Sequence, residues 1–196
     1  MTRFSAVSRR MRRRGALACA GLVTAVAIVA GGTAGVAPAA EPDSREVKAD
    51  MLYNIAKFIK WPEQSYAHTD GQLVFTILGD DALAEALAAN LSTKTINGHP
   101  VFVRVVRRVQ DATGSQILYI ASSEANRLGE VLKAVEGSPA LTVADSSGFV
   151  ALGGMVDFSD AHERIRFEIN QARAERAGLK ISAKLLALAR VVDASP

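Results

Sequence analysis

Apolar residues at Val47, Met51, Ile55 and Ile59 recur every fourth position, with Leu52 and Phe58 beside them. That spacing predicts an amphipathic helix capped by Ser44. Asp50, Asn54 and Lys57 fall at i, i+4 and i+7 and form a polar stripe on its far side. The predicted helix runs to Trp61, where Pro62 forces the preceding residue out of helical geometry. The period then changes. Leu73 to Gly79 (LVFTILG) is a continuous apolar run, the pattern of a strand buried on both faces. Asp80 and Asp81 open an alanine-rich helix, and Asn97 to Pro100 (NGHP) is a turn signal before the strand VFVRVV. A second buried strand, QILYIA, leads into SSEANRLGEVLKAVEG, read as one helix with a serine cap and a terminal glycine. ALTVAD is a further strand, and GFVALGGMVDFSD and RIRFEIN are two strand-like runs around the polar turn SDAHE. QARAERAG is helical, with Gly178 as its cap. The segment LKISAKLLALARVV reads as a terminal amphipathic helix with Ile181, Leu185, Leu188, Ala189 and Val192 on one face.

Alternating strands and helices imply parallel strands covered on both faces, and the hairpin between Met155 and Asn170 adds antiparallel character at one side. The expected architecture is α/β: a three-layer α/β/α sandwich with a mixed, mainly parallel sheet.

Charge changes the picture at the amino terminus. The 196-residue chain carries a formal +3, but Arg3, Arg9, Arg10, Arg12, Arg13 and Arg14 all lie in the first fifteen residues, with no acid among them. An apolar small-residue stretch follows, then Ala37 and Ala39 at the −3 and −1 positions of an Ala-x-Ala site. This order is that of a secretory signal peptide over residues 1–39, cleaved near Ala39. An uncleaved anchor is the alternative, although the apolar run is short of the roughly 20 residues a span needs. Six of the 23 basic residues lie in this leader, so residues 40–196, read as a single domain, keep 17 against 20 acidic ones. The exported protein is mildly acidic and lacks the clustered basic face that nucleic acid requires. Its one local basic run, Arg104 to Arg108 (RVVRR), reads as the solvated face and end of a strand. Cys19, the only cysteine, lies in the leader, so the mature chain forms no disulfide and rests on its buried core.

Candidate chemistry is sparse. His68, His99 and His162 all fall in loops or turns, without the spacing of a helical metal pair. There is no Gly-x-Ser-x-Gly elbow and no phosphate-binding Gly-x-x-x-x-Gly-Lys loop. Asp80 and Asp81 follow a parallel strand, where open α/β sheets bind ligands. The simpler reading is that Asp80 caps the helix and Asp81 favours its positive end. Gly153 and Gly154 either cradle an anion or provide a tight bend. Glu168 and Asn170 share one strand face, with Asn170 placed to cap the next helix. Lys57, Arg166 and Lys184 read as solvated or locally paired. These residues supply no catalytic constellation, no metal site and no cofactor site.

Several segments together carry a resemblance: VKADMLYNIAKFIKWP, ILGDD, KTINGHPVFVRVV, ILYIASSEANRLGEVL, LTVADSSGFVALGGMVDF, RIRFEIN and AGLKISAKLLALARVV. In this order, from Val47 to Val192, they resemble the YfiR family. The signature positions matched are Asn54, Lys57, Trp61, Gly153, Gly154, Glu168 and Asn170. The resemblance implies a periplasmic regulator that binds the periplasmic part of an inner-membrane diguanylate cyclase, holds it inactive and so lowers cyclic-di-GMP. An outer-membrane lipoprotein is implied as a second partner that sequesters the regulator, and homodimerisation is left open. Related domains occur fused to membrane sensor kinases, so a sensor kinase is an alternative partner. Some family members carry cysteine pairs. The mature chain has none, so a redox switch does not transfer. Beside the regulator stands a second reading, a periplasmic binder of small ligands, for which a pocket lined by Trp61 and Tyr53 beside Asn170 is the expected sign. An enzyme built on Asp80 and Asp81 is the third.

Overall fold

The computed structural model describes residues 44–161 and 164–192. The leader expected over residues 1–39, Pro42 and Asp43 after it, and His162 lie outside the described residues. In chain order the elements are α1 (Ser44–Lys57), β1 (Ile59–Lys60), a 3-10 turn (Glu63–Tyr66), β2 (Leu73–Leu78), α2 (Asp81–Leu91), β3 (Thr95–Ile96) and β4 (His99–Val106). A 3-10 turn (Val109–Ala112), β5 (Ile117–Ile120), a 3-10 turn (Ser122–Arg127), α3 (Leu128–Ala134), β6 (Leu141–Ala144) and β7 (Val156–Ala161) follow. The chain continues through β8 (Arg164–Ile169), α4 (Gln171–Arg176), β9 (Lys180–Ile181), α5 (Ala183–Leu186) and β10 (Arg190–Val191).

The main sheet has the order β10-β8-β7-β6-β5-β2-β4-β3. Only the β7–β8 hairpin and the β3–β4 pair are antiparallel, so the sheet is mixed and mainly parallel, as expected. The period-two alternation of side chains sorts each strand between two cores. Leu73, Phe75, Ile77, Ile117, Tyr119, Leu141 and Val143 face α1 and α2. Leu78, Leu118, Ile120 and Ala144 face α3, meeting Leu128, Val131, Leu132 and Phe149. Helices therefore cover both faces, giving three layers. Each fully buried Leu or Ile contributes about 1.5–3 kcal/mol.

The first helix is shorter than its periodicity suggests. It ends at Lys57 and not at Trp61, tightening through Phe58 N to Ile55 O at 3.0 Å. The reason is a strand pairing that no local pattern announces. Ile59 and Lys60 lie antiparallel to Ile181 and Lys180, and Ser182 N donates to Phe58 O at 2.9 Å. The buried face of α1 is also rotated from the expected one. Ala49, Leu52, Ile55 and Ala56 are buried, while Val47 and Met51 are half-buried.

The terminal segment departs further. The single helix expected over Leu179 to Val192 is instead β9, the four-residue α5 and β10. Ser182 caps α5, and β10 adds a parallel strand beside β8, with Val192 N bonded to Ile169 O at 2.9 Å. Backbone bonds to two sheets outweigh the helical propensity of this leucine- and alanine-rich stretch, and Leu188 ends 73% exposed. Two smaller differences follow the same logic. Ser122–Arg127 is a 3-10 turn, with α3 beginning only at Leu128. Gly148 to Gly154 forms a turn that drops Phe149 into the second core, so strand β7 starts at Val156.

Candidate functional site

Taken in chain order, the parallel strands β2, β4, β5, β6 and β7 occupy positions β4-β2-β5-β6-β7, the 2-1-3-4-5 order of doubly wound sheets. Ligands in such sheets sit at the carboxyl ends of the strands where the winding reverses, here after Leu78 and Ile120. In this protein that mouth is stitched. Ser123 Oγ donates to Gly79 O at 3.1 Å, Arg127 pairs with Glu124, and Arg127 also donates to Arg107 O at 3.2 Å. Gly79 has φ +88°, and a Cβ there would meet Ser123 Oγ at 2.6 Å, so glycine is required by both conformation and space. The cleft that remains, about 330 Å³, is lined by Gly79, Asp80, Asp81, Val106, Arg107, Ser123 and Glu124.

Both aspartates of the expected pair are engaged there. Asp80 Oδ1 caps α2 by accepting from Leu83 N at 3.0 Å and lies 3.8 Å from Arg45. Asp81 pairs with Arg107 at 2.7 Å. Asp80→Asn is therefore expected to change stability by less than about 0.5 kcal/mol, because asparagine caps as well as aspartate. A loss above about 2 kcal/mol in urea unfolding would show a further role for the charge.

Behind this mouth lies a buried polar cluster that the sequence reading missed. Lys48 on α1 donates to Asp145 at 2.6 Å, with both side chains largely buried. The Tyr119 hydroxyl and Asp145 Oδ1 have no hydrogen-bond partner within 3.5 Å among the described residues. Burial first, and then the Asp145 carboxylate, holds the Tyr119 hydroxyl protonated well above its usual range. Asp157 on β7 is 3% exposed; its Oδ2 accepts from Phe149 N at 3.2 Å and its Oδ1 has no partner among the described residues. Burial pushes its carboxyl up to about 6, against the pull of the Phe149 amide. The available signals were Asp145 directly after a parallel strand, as Asp80 is, and a charge inside the apolar run MVDF.

The family-signature positions separate into two groups. Asn54 and Lys57 are exposed on α1, as the polar stripe predicts. Lys57 Nζ lies 4.6 Å from the centre of the Tyr53 ring, and Lys94 Nζ lies 4.4 Å from the same ring. Trp61 is buried, and its Nε1 donates to Gln116 O at 2.9 Å. Gln116, fully buried, ties this corner together: its side chain accepts from Val74 N at 2.7 Å and donates to Ser65 O at 2.6 Å. Gly153, Gly154 and Asn170 meet at another corner. Gly153 turns with φ +95°, and Gly154 lies against Phe149, where a Cβ would come within 2.3 Å of the ring. Asn170 N donates to Met155 O at 2.9 Å, while its side chain caps α4 through Arg173 N at 2.9 Å. Glu168, half-buried, pairs with Arg190 at 2.7 Å.

Other expectations change. Arg104 is not a solvated strand residue: it donates to Thr76 Oγ1 at 2.9 Å and Thr113 O at 2.7 Å. His99 stacks on Tyr66 with ring centres 3.7 Å apart. Among the described residues no group of three His, Cys, Asp or Glu is placed to hold a metal. Trp61, Tyr53 and Asn170 do not line one pocket: the indole is committed to Gln116, the Tyr53 ring to two lysines and Asn170 to α4. A larger cleft, about 480 Å³, is bounded by Gln64, His68, Gln110 and Pro139 near the amino ends of β5 and β6. No helix among the described residues is long and apolar enough to cross a membrane.

Comparison with known proteins gives a family model described as YfiR/HmsC-like, which matches residues 45–190. Among solved structures, the chain is similar to a conserved domain protein from Vibrio cholerae, with 14% identity, 76% of this chain and 60% of that chain covered, and a TM-score of 0.53. The likeness is one of fold. The ABC domain in complex with L-Trp from Streptococcus pneumoniae is also matched, at 14% identity, 70% and 60% coverage and a TM-score of 0.48. The chain thus spans about three fifths of the length of these structures. No curated protein matches it.

Proposed function

This chain belongs to the YfiR/HmsC-like family, and on that premise we propose that it is a non-enzymatic regulator, exported to the periplasm, that binds and inhibits an inner-membrane diguanylate cyclase. The family match over residues 45–190 carries this reading. The stitched carboxyl edge supports it, because the place where an α/β sheet offers a ligand is narrowed by ties among its own side chains. Its output then passes through another protein. Export and cleavage near Ala39 belong to the same proposal, supported by the basic, apolar and small-residue order of residues 1–39.

Within this reading, Trp61, Gly153, Gly154, Glu168 and Asn170 hold the domain together, whereas Asn54 and Lys57 are exposed on α1. A periplasmic binder cannot touch cytoplasmic GTP. It acts by favouring one conformation of the cyclase, and only as far as its affinity differs between the two. Tenfold inhibition requires about 1.4 kcal/mol of such difference, an ordinary coupling energy. Cross-linking in intact cells is expected to capture an inner-membrane protein with a cytoplasmic cyclase domain. Capture of a membrane sensor kinase alone contradicts the cyclase reading and supports the kinase alternative.

A further inference from the structure

Five lysines gather around the end of α1 and the β1–β9 ribbon. Lys60 and Lys180 are directly opposed in the antiparallel pair, and both are exposed. Like charges in that position repel and destabilise the ribbon. Lys57 and Lys94 converge on the Tyr53 ring, at 4.6 and 4.4 Å. Lys57 precedes Lys60 by three residues; Ser182 is bonded to Phe58 O, and Lys184, exposed, follows it by two residues. None of the five forms an ion pair with a described residue. Of the acids on flanking segments, Glu63 is exposed and Glu175 accepts from Gln171 at 2.7 Å. The contrast with arginine is plain. Arg104, Arg107, Arg108, Arg127, Arg173 and Arg190 each hold a carboxylate or another acceptor.

A surface that concentrates cations with no ion pair among the described residues, in a mature chain with more acidic than basic residues, is built for an anion. Its composition selects the kind. Protein interfaces enrich arginine and deplete lysine, and arginine forks suit fixed carboxylates. Lysine is a compact, strongly hydrated point charge that suits a diffuse, laterally mobile anionic surface. Leu188, four residues after Lys184, is 73% exposed and adds an apolar side chain to this terminal segment. We propose that Lys57, Lys60, Lys94, Lys180 and Lys184 form a surface that docks the protein on anionic lipid headgroups. The cyclase reading is not needed for this, and the test is independent of it.

The test is sedimentation of the purified protein with vesicles of phosphatidylcholine alone or with about one third phosphatidylglycerol. The expected result is binding to the anionic vesicles only, weakening as salt shortens the screening length. Lys57→Gln, Lys60→Gln and Lys180→Gln should each weaken partitioning roughly fivefold. Lys60→Glu with Lys180→Glu should abolish it. Lys133→Gln, on α3 across the sheet, should leave it unchanged. Thermal melts of Lys60→Gln and Lys180→Gln should not fall, since removing either lysine relieves repulsion. Absence of binding, equal binding to neutral vesicles, or an equal loss with Lys133→Gln would overturn the proposal. So would retention on an acidic protein column without any binding to vesicles.

Discussion

Trp61→Ala is expected to cost about 3–5 kcal/mol of folding stability, the range for deleting a buried indole. The side chain is 6% exposed and belongs to the larger core. It also clamps the start of β5, because Gln116 O accepts both Trp61 Nε1 at 2.9 Å and Leu141 N at 2.8 Å. That double acceptance predicts a graded series. Trp61→Phe keeps most of the apolar volume and leaves the carbonyl its Leu141 bond, so it should cost only about 1–2 kcal/mol. Trp61 is the only tryptophan in the chain, so the comparison is best made by circular dichroism in urea. Near-wild-type stability of Trp61→Ala would contradict a structural role for the tryptophan and make it a candidate contact residue instead.

Asp157→Asn is expected to gain stability relative to the wild type as pH rises. The folded carboxyl titrates at about 6, above its ordinary value of 3.8, because it is buried. The native state therefore binds this proton more tightly than the unfolded chain does. Its stabilising contribution is fully present below the unfolded value and is lost as pH rises through about 6. Across that window the loss is on the order of 3 kcal/mol. Asparagine carries no charge at any pH and can still accept from Phe149 N. All other titrating groups are common to both proteins, so the difference in unfolding free energy should move by about that amount between about pH 4 and pH 7 in favour of the variant. A difference that stays flat across the window would show that Asp157 is ionised without penalty.

The parts of the fold legible in the sequence were those specified locally. LVFTILG, QILYIA and ALTVAD were readable as strands because continuous apolar runs of that length suit a doubly covered sheet. The caps at Asp80 and Asn170 were readable because short polar side chains before a helix satisfy its free amides. The illegible parts depended on partners distant in the chain. Ile59 and Lys60 leave the helical pattern only because Ile181 and Lys180 arrive beside them, and LKISAKLLALARVV gives up its helical period for the same reason. The polar cluster was hidden likewise: Lys48 and Asp145 are 97 residues apart and meet only in the folded chain. The signature positions rest on the resemblance, while their division between core and surface required the fold. Trp61 and Asn170 turned out buried, and Asn54 and Lys57 exposed.

The central claim is that the protein acts on a cyclase from across the membrane. Its most direct test is the cellular cyclic-di-GMP level in a deletion strain complemented with either the whole chain or a version lacking residues 1–39. The account predicts that deletion raises the nucleotide, that the whole chain restores the low level, and that the leaderless chain, confined to the cytoplasm, does not. Unchanged nucleotide on deletion, or full restoration by the leaderless chain, would contradict it.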